Sequence, residues 1–274
     1  MLTISGLGFG EKYAMTLETL NYAKKADKVI LRTKEHPSVS ILDEYGINYI
    51  SCDHFYDESS DFEKLYQSIA EFVYNESRNG DVLYLVPGSP SIAESTVKKL
   101  RLLDPNHNTI EAISFLEPCF SLAGIDPVDG AIFLDANDVN VKNLNPSLDL
   151  MITQPWNDFL LSDVKLALME VYDDESEVYA IYDAGIKGKE KIDKIKLYEL
   201  DREVSAGYRL TLIVPKAQYS LQEFIKEIID GKDLKYKYNF EELVSARESI
   251  IEIVKKIADE VSCGEYELKE LFMR

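Results

Sequence analysis

Leu2-Thr3-Ile4-Ser5-Gly6-Leu7-Gly8-Phe9-Gly10 opens the chain, and its reading decides the fold. A short apolar strand runs into three glycines at alternate positions. Glycine has no Cβ, so backbone there reaches φ > 0 and approaches a ligand or another loop closely. A helical pattern follows at Leu17, Leu20 and Ala23. A strand that turns through glycines into a helix begins a parallel sheet, and ligands bind such sheets in crevices at the carboxyl ends of strands. The motif is not Gly-x-Gly-x-x-Gly, and no Gly-Lys-Ser/Thr follows, so a dinucleotide fingerprint and a P-loop are both absent. Taken alone, the motif also reads as a tight turn with no ligand.

A second turn of the same kind stands at Val86-Pro87-Gly88-Ser89-Pro90, after the apolar run Val82–Val86. A run without polar alternation is expected of a central parallel strand buried on both faces. Two glycine turns at carboxyl ends favour one shared crevice over two unrelated turns. Outward from these loops the first half alternates strand and helix. Strands are expected at Lys28–Leu31, 47–52 and 109–113. Helices are expected at 39–45 with a stop at Gly46, at 92–103, at 115–123, and in a longer run capped by Asp61 with Phe62, Leu65, Ile69 and Phe72 on one face. Repeated β-α-β units imply a mostly parallel sheet.

The pattern changes after Gly124-Ile125-Asp126-Pro127. Strands are expected at 131–134, 148–153, Glu177–Tyr182, 192–197 and Leu210–Val214, with one strong helix at 158–171. This reads as a second α/β domain with a mixed sheet. The tail reads as a helix at 222–229, a turn at Gly231-Lys232-Asp233 and a long amphipathic helix at 240–261. Leu243, Ile250, Ile253, Val254, Ile257 and Val261 make its apolar stripe, a surface that docks on the domain or on a partner subunit.

The 274 residues carry 49 acidic and 30 basic side chains, a formal charge of −19. That balance disfavours broad contact with nucleic acid or with an anionic membrane, although a local basic patch remains compatible with it. No run approaches the length of a membrane span and no secretory leader is visible, so a cytoplasmic protein is expected. Cys52, Cys119 and Cys263 are far apart and odd in number, which fits buried thiols in a reducing compartment. His36, His54 and His107 share no metal-ligand spacing and read as solvated residues in loops or at strand ends. Asp57-Glu58 and Asp173-Asp174-Glu175 read as solvated loops, and no Gly-x-Ser-x-Gly elbow is present.

Several stretches then occur together in a specific order. They are Gly6 to Gly10, Leu31-Arg32-Thr33 with His36-Pro37, Tyr84 to Pro90, Gly124 to Pro127, Ile152-Thr153-Gln154, Ser162 to Leu166 and Leu197 to Arg202. In these the chain resembles the S-adenosylmethionine (SAM)-dependent tetrapyrrole (corrin/porphyrin) methylase superfamily. Within it the likeness is to the methylase-like N-terminal half of bacterial proteins fused to a MazG nucleotide pyrophosphohydrolase.

The resemblance implies an α/β fold of two domains, the first sheet mostly parallel and the second mixed, with SAM in the cleft between them and a homodimer as the assembly. The implied division is 1–124, 125–216 and a helical tail 217–274, a remnant of the MazG linker or first helix. The first glycine loop, Gly6 and Gly8, lies beside the cleft. The implied SAM contacts are Phe9; Gly88, Ser89 and Ile92; Ser114 and Phe115; and, from the second domain, Gln154, Ala184 and Leu210. No metal site is implied, and no catalytic base is identified.

The carboxylates that a MazG metal site needs are incomplete in 239–274, so no pyrophosphohydrolase activity is expected. Glu111 and Ala112 stand where the family often has Pro-Gly, and Phe9 where a small residue or proline is common. Two alternatives therefore accompany a SAM-dependent methyltransferase with an open acceptor. One is a non-catalytic binding or regulatory module. The other is a ribosomal RNA 2′-O-methyltransferase, which the charge opposes.

Overall fold

The computed structural model describes residues 1–58 and 61–217. The expected tail helices and Cys263 lie outside the described residues. Two units divide the chain: Met1–Ile125 with Tyr182–Lys191, and Asp126–Ile181 with Ile192 onward.

The first unit is built on strands β1 Leu2–Gly6, β2 Lys28–Leu31, β3 Tyr49–Ser51, β4 Val82–Val86 and β5 Asn108–Thr109. Their spatial order is β3-β2-β4-β1-β5, and all the pairings are parallel. β1 and β4 lie inside the sheet and every residue in them is buried; β4 is apolar almost throughout, and the hydroxyl of Ser5 in β1 shares a hydrogen bond with Thr19 Oγ1 at 2.7 Å. The strand period of two sends alternate side chains to opposite faces. Val29, Leu31, Leu83 and Leu85 pack on one face with Leu20 and Ala23 of helix α1 Leu17–Ala23 and Leu42 of α2 Val39–Glu44. Ile30, Val82, Tyr84 and Val86 pack on the other with Leu65, Ile69 and Val73 of α4 Phe62–Ser77 and Val97 and Leu100 of α5 Ser95–Leu103. The chain thus leaves neighbouring β1 and β4 toward opposite faces. That divergence opens a crevice at the carboxyl ends of those two strands.

Local differences from the sequence reading have physical causes. Helix α3 covers His54–Glu58, so His54 and the pair Asp57-Glu58 are helical and not in a loop. The expected strand 109–113 shortens to Asn108–Thr109, pairing with Thr3 and Ile4 at the sheet edge. Glu111 and Ile113 there are exposed. The expected helix 92–103 starts only at Ser95, because Ala93 holds φ +51, which a right-handed helix excludes. Helix α6 Leu116–Ala123 ends at Gly124 in the left-handed conformation.

The second unit carries β6 Ala131–Asp135, β7 Asp149–Thr153, β8 Glu177–Tyr182, β9 Lys191–Lys196 and β10 Leu210–Val214 in the order β6-β7-β10-β8-β9. β6 runs parallel to β7 and β10 antiparallel to it, so the sheet is mixed. Helix α7 Asp158–Met169 is started by Asn157, whose side chain accepts from Leu160 N at 2.8 Å. Its Lys165 donates to Asp201 of helix α8 Leu200–Glu203 at 2.7 Å. Among the described residues no helix is long and apolar enough to cross a membrane.

Candidate functional site

The two glycine turns are joined. Leu7 N donates to Val86 O at 2.8 Å, Gly8 N to Gly88 O at 3.2 Å, and Gly88 N to Gly8 O at 2.9 Å. This antiparallel bridge reverses the parallel β1–β4 ladder just past its end. Only glycine permits it. A Cβ on Gly6 would lie 1.9 Å from Gly88 O, and one on Gly8 would lie 2.4 Å from Ala14 O. Gly88 is not crowded in this way, since a Cβ there would meet Phe115 Cδ1 at 4.0 Å, an ordinary van der Waals contact. The loop after β5 joins the same group, since Ala112 Cβ lies 2.7 Å from the Gly6 Cβ position. Three loops, from β1, β4 and β5, therefore converge within the first unit.

Ser89 and Ser114 are buried. Ser89 Oγ accepts from Ser91 N at 3.2 Å, and Ser114 Oγ accepts from Leu116 N at 3.2 Å. Each hydroxyl closes its own loop, and Ser114 also steadies the start of α6. Ile92 and Phe115 are half-buried. The sequence reading put Ala184 in the second domain. It belongs to the first unit, because the segment after β8 packs on the first glycine turn. Phe9 packs against Gly185, whose Cβ would be 2.2 Å from Phe9 Cδ2, and Ile186 presses on Gly10. Lys187 N donates to Glu11 Oε1 at 3.0 Å. Gln154 and Leu210 are in the second unit. Thr153 pairs with Thr211, so Gln154 leaves β7 at the end where Leu210 begins β10.

Strain marks these places. Among the described residues the non-glycine positions with positive φ are Ala93 at 51°, Gln154 at 60° and Asp183 at 48°. One is a proposed contact and the other two adjoin Ile92 and Ala184. Each such residue costs on the order of 1–3 kcal/mol and persists where the surroundings over-determine it, typically at functional sites.

An ion pair holds the second loop from the other side. Arg32 follows β2 directly, and its Nη1 donates to Glu94 Oε1. The Arg32 side chain is 15% exposed and that of Glu94 5%. Arg32 Nε donates to Tyr56 OH at 2.8 Å, and its guanidinium lies 4.9 Å from the Tyr66 ring centroid. Glu94 stands at the N-cap of α5 yet makes no cap bond with its side chain, which turns inward to Arg32. Its Oε2 is buried and has no hydrogen-bond partner among the described residues. Arg32 stands in one of the family-like sequence stretches and Glu94 in none of them. Nothing local links residues 62 positions apart.

Burial, and next Asp53, push the Cys52 thiol up to about 12, with Arg32 opposing. A thiol this buried and protonated is inert. Peptide mapping after alkylation of the native chain at pH 8 should find Cys52 unmodified, and modified once the chain is unfolded. The unfolded thiol titrates near ~8.5, so this group's stabilisation is complete below that pH and is lost as pH rises toward the folded value. Among the described residues no three His, Cys, Asp or Glu side chains gather to hold a metal ion.

Comparisons with known proteins agree with this architecture. The family model described as tetrapyrrole (corrin/porphyrin) methylases matches residues 1–201. The uncharacterised protein YabN of Bacillus subtilis (strain 168) is 34% identical over 218 residues, which is 78% of this chain and 44% of that protein. The chain thus spans less than half the length of this curated relative. A crystal structure of diphthine synthase superposes with a TM-score of 0.59 at 14% identity, covering 82% of this chain and 93% of that one. A cobalamin biosynthetic enzyme, cobalt precorrin-4 methyltransferase, gives 0.59 at 14%, covering 78% and 94%. At such identity the likeness is one of fold.

Proposed function

The chain belongs to the tetrapyrrole (corrin/porphyrin) methylase family, and from that premise we propose that it is a SAM-dependent methyltransferase. The observation that carries this is the convergence of three loops, from the carboxyl ends of β1, β4 and β5, around the joined glycines Gly6, Gly8 and Gly88. Backbone strain at Ala93, Gln154 and Asp183 supports it, because strain concentrates at ligand-binding places. Bound SAM supplies an electrophilic methyl group on a sulfonium. Gly88, without a side chain, would let the backbone approach it closely, Phe9 and Phe115 would offer aromatic surface, and Ser89 and Ile92 would form the wall of the loop. Ser114, Ala184, Gln154 and Leu210 complete the proposed contacts. Such catalysis rests on holding donor and acceptor in line and excluding water. Calorimetry with SAM and S-adenosylhomocysteine tests the reading: a dissociation constant of about 1–100 µM is expected, and no heat at millimolar ligand sinks it.

A second reading, a non-catalytic module, draws on the bulk of Phe9 lying on Gly185 beside Ala184. If the native chain binds no SAM and a Phe9→Pro, Glu111→Pro, Ala112→Gly variant does, the second reading replaces the first.

We further read the chain as the counterpart of the methylase-like half of a MazG fusion. On that reading it acts as a cytoplasmic homodimer without pyrophosphohydrolase activity or a nucleic-acid partner. The matched sequence stretches and the charge of −19 support this. Light scattering after size exclusion and a nucleoside triphosphate hydrolysis assay test it.

A further inference from the structure

We propose that Trp156 and Tyr208 form a stacking platform for the methyl acceptor, and that the acceptor presents a neutral or cationic heteroaromatic ring there. The word acceptor rests on the methyltransferase reading; the platform rests on geometry inside the second unit. The two rings are 10° from parallel with centroids 6.1 Å apart. Trp156 is 39% exposed and Tyr208 66%. Single exposed aromatics are ordinary on protein surfaces. A parallel pair held in register by the backbone is not the same thing. Gly207 N donates to Pro155 O at 3.0 Å, tying the two loops together one residue before each ring. Gln154, in the left-handed region, turns the chain out of β7 just ahead of Trp156, and Asn157 caps α7 just behind it. The backbone that carries both rings is therefore held by these contacts.

The pair also sits two residues after Gln154 and two before Leu210, positions proposed to touch SAM. An acceptor has to lie near the methyl group that it receives. Flat conjugated rings stack on aromatic faces without needing a hydrogen-bond code, and a positively charged ring gains further from the indole face. The formal charge of −19 is a sum over the chain, and it disfavours a polyanion at an exposed ring pair. A flat polyanion would meet the field of the whole chain, whereas a neutral or cationic ring would not.

Trp156 is the single tryptophan of the chain, so its emission reports the platform directly. The test titrates the full chain, with S-adenosylhomocysteine present, with 7-methylguanosine as a cationic bicyclic probe and benzenehexacarboxylate as a flat polyanion. Saturable quenching by 7-methylguanosine is expected in the native chain and in Tyr208→Phe. It should weaken about tenfold or more in Tyr208→Ala, the order of one lost stacking face, and benzenehexacarboxylate should give no saturable change. Quenching that rises linearly and equally in all three proteins overturns the platform. Tighter binding of the polyanion overturns the assigned class of acceptor. Calorimetry with S-adenosylhomocysteine is scored separately. Probe binding without its heat leaves the platform and removes the transferase reading, and heat without probe binding does the reverse.

Discussion

Glu94→Ala is expected to destabilise the first unit by roughly 3–5 kcal/mol, the cost of stranding one member of a buried ion pair, and to lower its thermal midpoint by roughly 10 °C. The reason is the surroundings of Arg32. Its guanidinium is almost withdrawn from water, lies over Tyr66 and has Glu94 as its counter-charge. Removing the carboxylate leaves the cation buried beside rings that neutralise only part of its charge. The pair itself is a weaker source of stability than that figure implies, because both ions lost hydration to form it. An Arg32→Leu, Glu94→Leu double variant should therefore recover most of the loss. Urea unfolding of the singles and the double measures this directly. A loss under about 1 kcal/mol in Glu94→Ala, typical of an exposed pair, would refute the argument. The double variant should still lose ligand affinity, since the end of the second glycine loop is no longer tied to β2.

Gly6→Ala should reduce S-adenosylhomocysteine affinity about 100-fold, the scale of a 1 Å misplacement in a positioned site. The added methyl would stand 1.9 Å from the Gly88 carbonyl oxygen, and backbone cannot yield as a long side chain does. The bridge between Gly8 and Gly88 has to part, and with it the surface both loops present. Gly88→Ala is the informative contrast. Its methyl would meet Phe115 Cδ1 at an ordinary 4.0 Å, so the left-handed φ of 67° is what opposes it, at about 1–2 kcal/mol. That variant should keep the bridge. Native affinity in Gly6→Ala would show that the joined turns do not shape the binding surface.

Much of this was legible from residue order. The glycines after β1 and β4 announced two turns at strand ends, and the apolar run at Val82–Val86 announced a strand buried on both faces. The mixed second sheet followed from five strand patterns around one good helix. What the sequence hid was contact across distance. Arg32 and Glu94 are each ordinary in their own neighbourhoods and become a pair only when β2 and β4 lie side by side. The segment carrying Ala184 follows a strand of the second sheet, and the family resemblance implied the same domain for it. The late start of α5 was equally silent, because alanine is the residue least expected to interrupt a helix, and Ala93 does so by its φ alone.

The excursion of residues 182–191 to the opposite unit has a practical corollary for dissecting the protein. A fragment ending at Ile125 would lack the strip that lies on Phe9, Gly10 and Glu11. Domain swaps and split reporters cut at that point would inherit an uncapped loop on one piece and an orphaned flap on the other. A working chimera must transplant the flap together with the lobe that it covers.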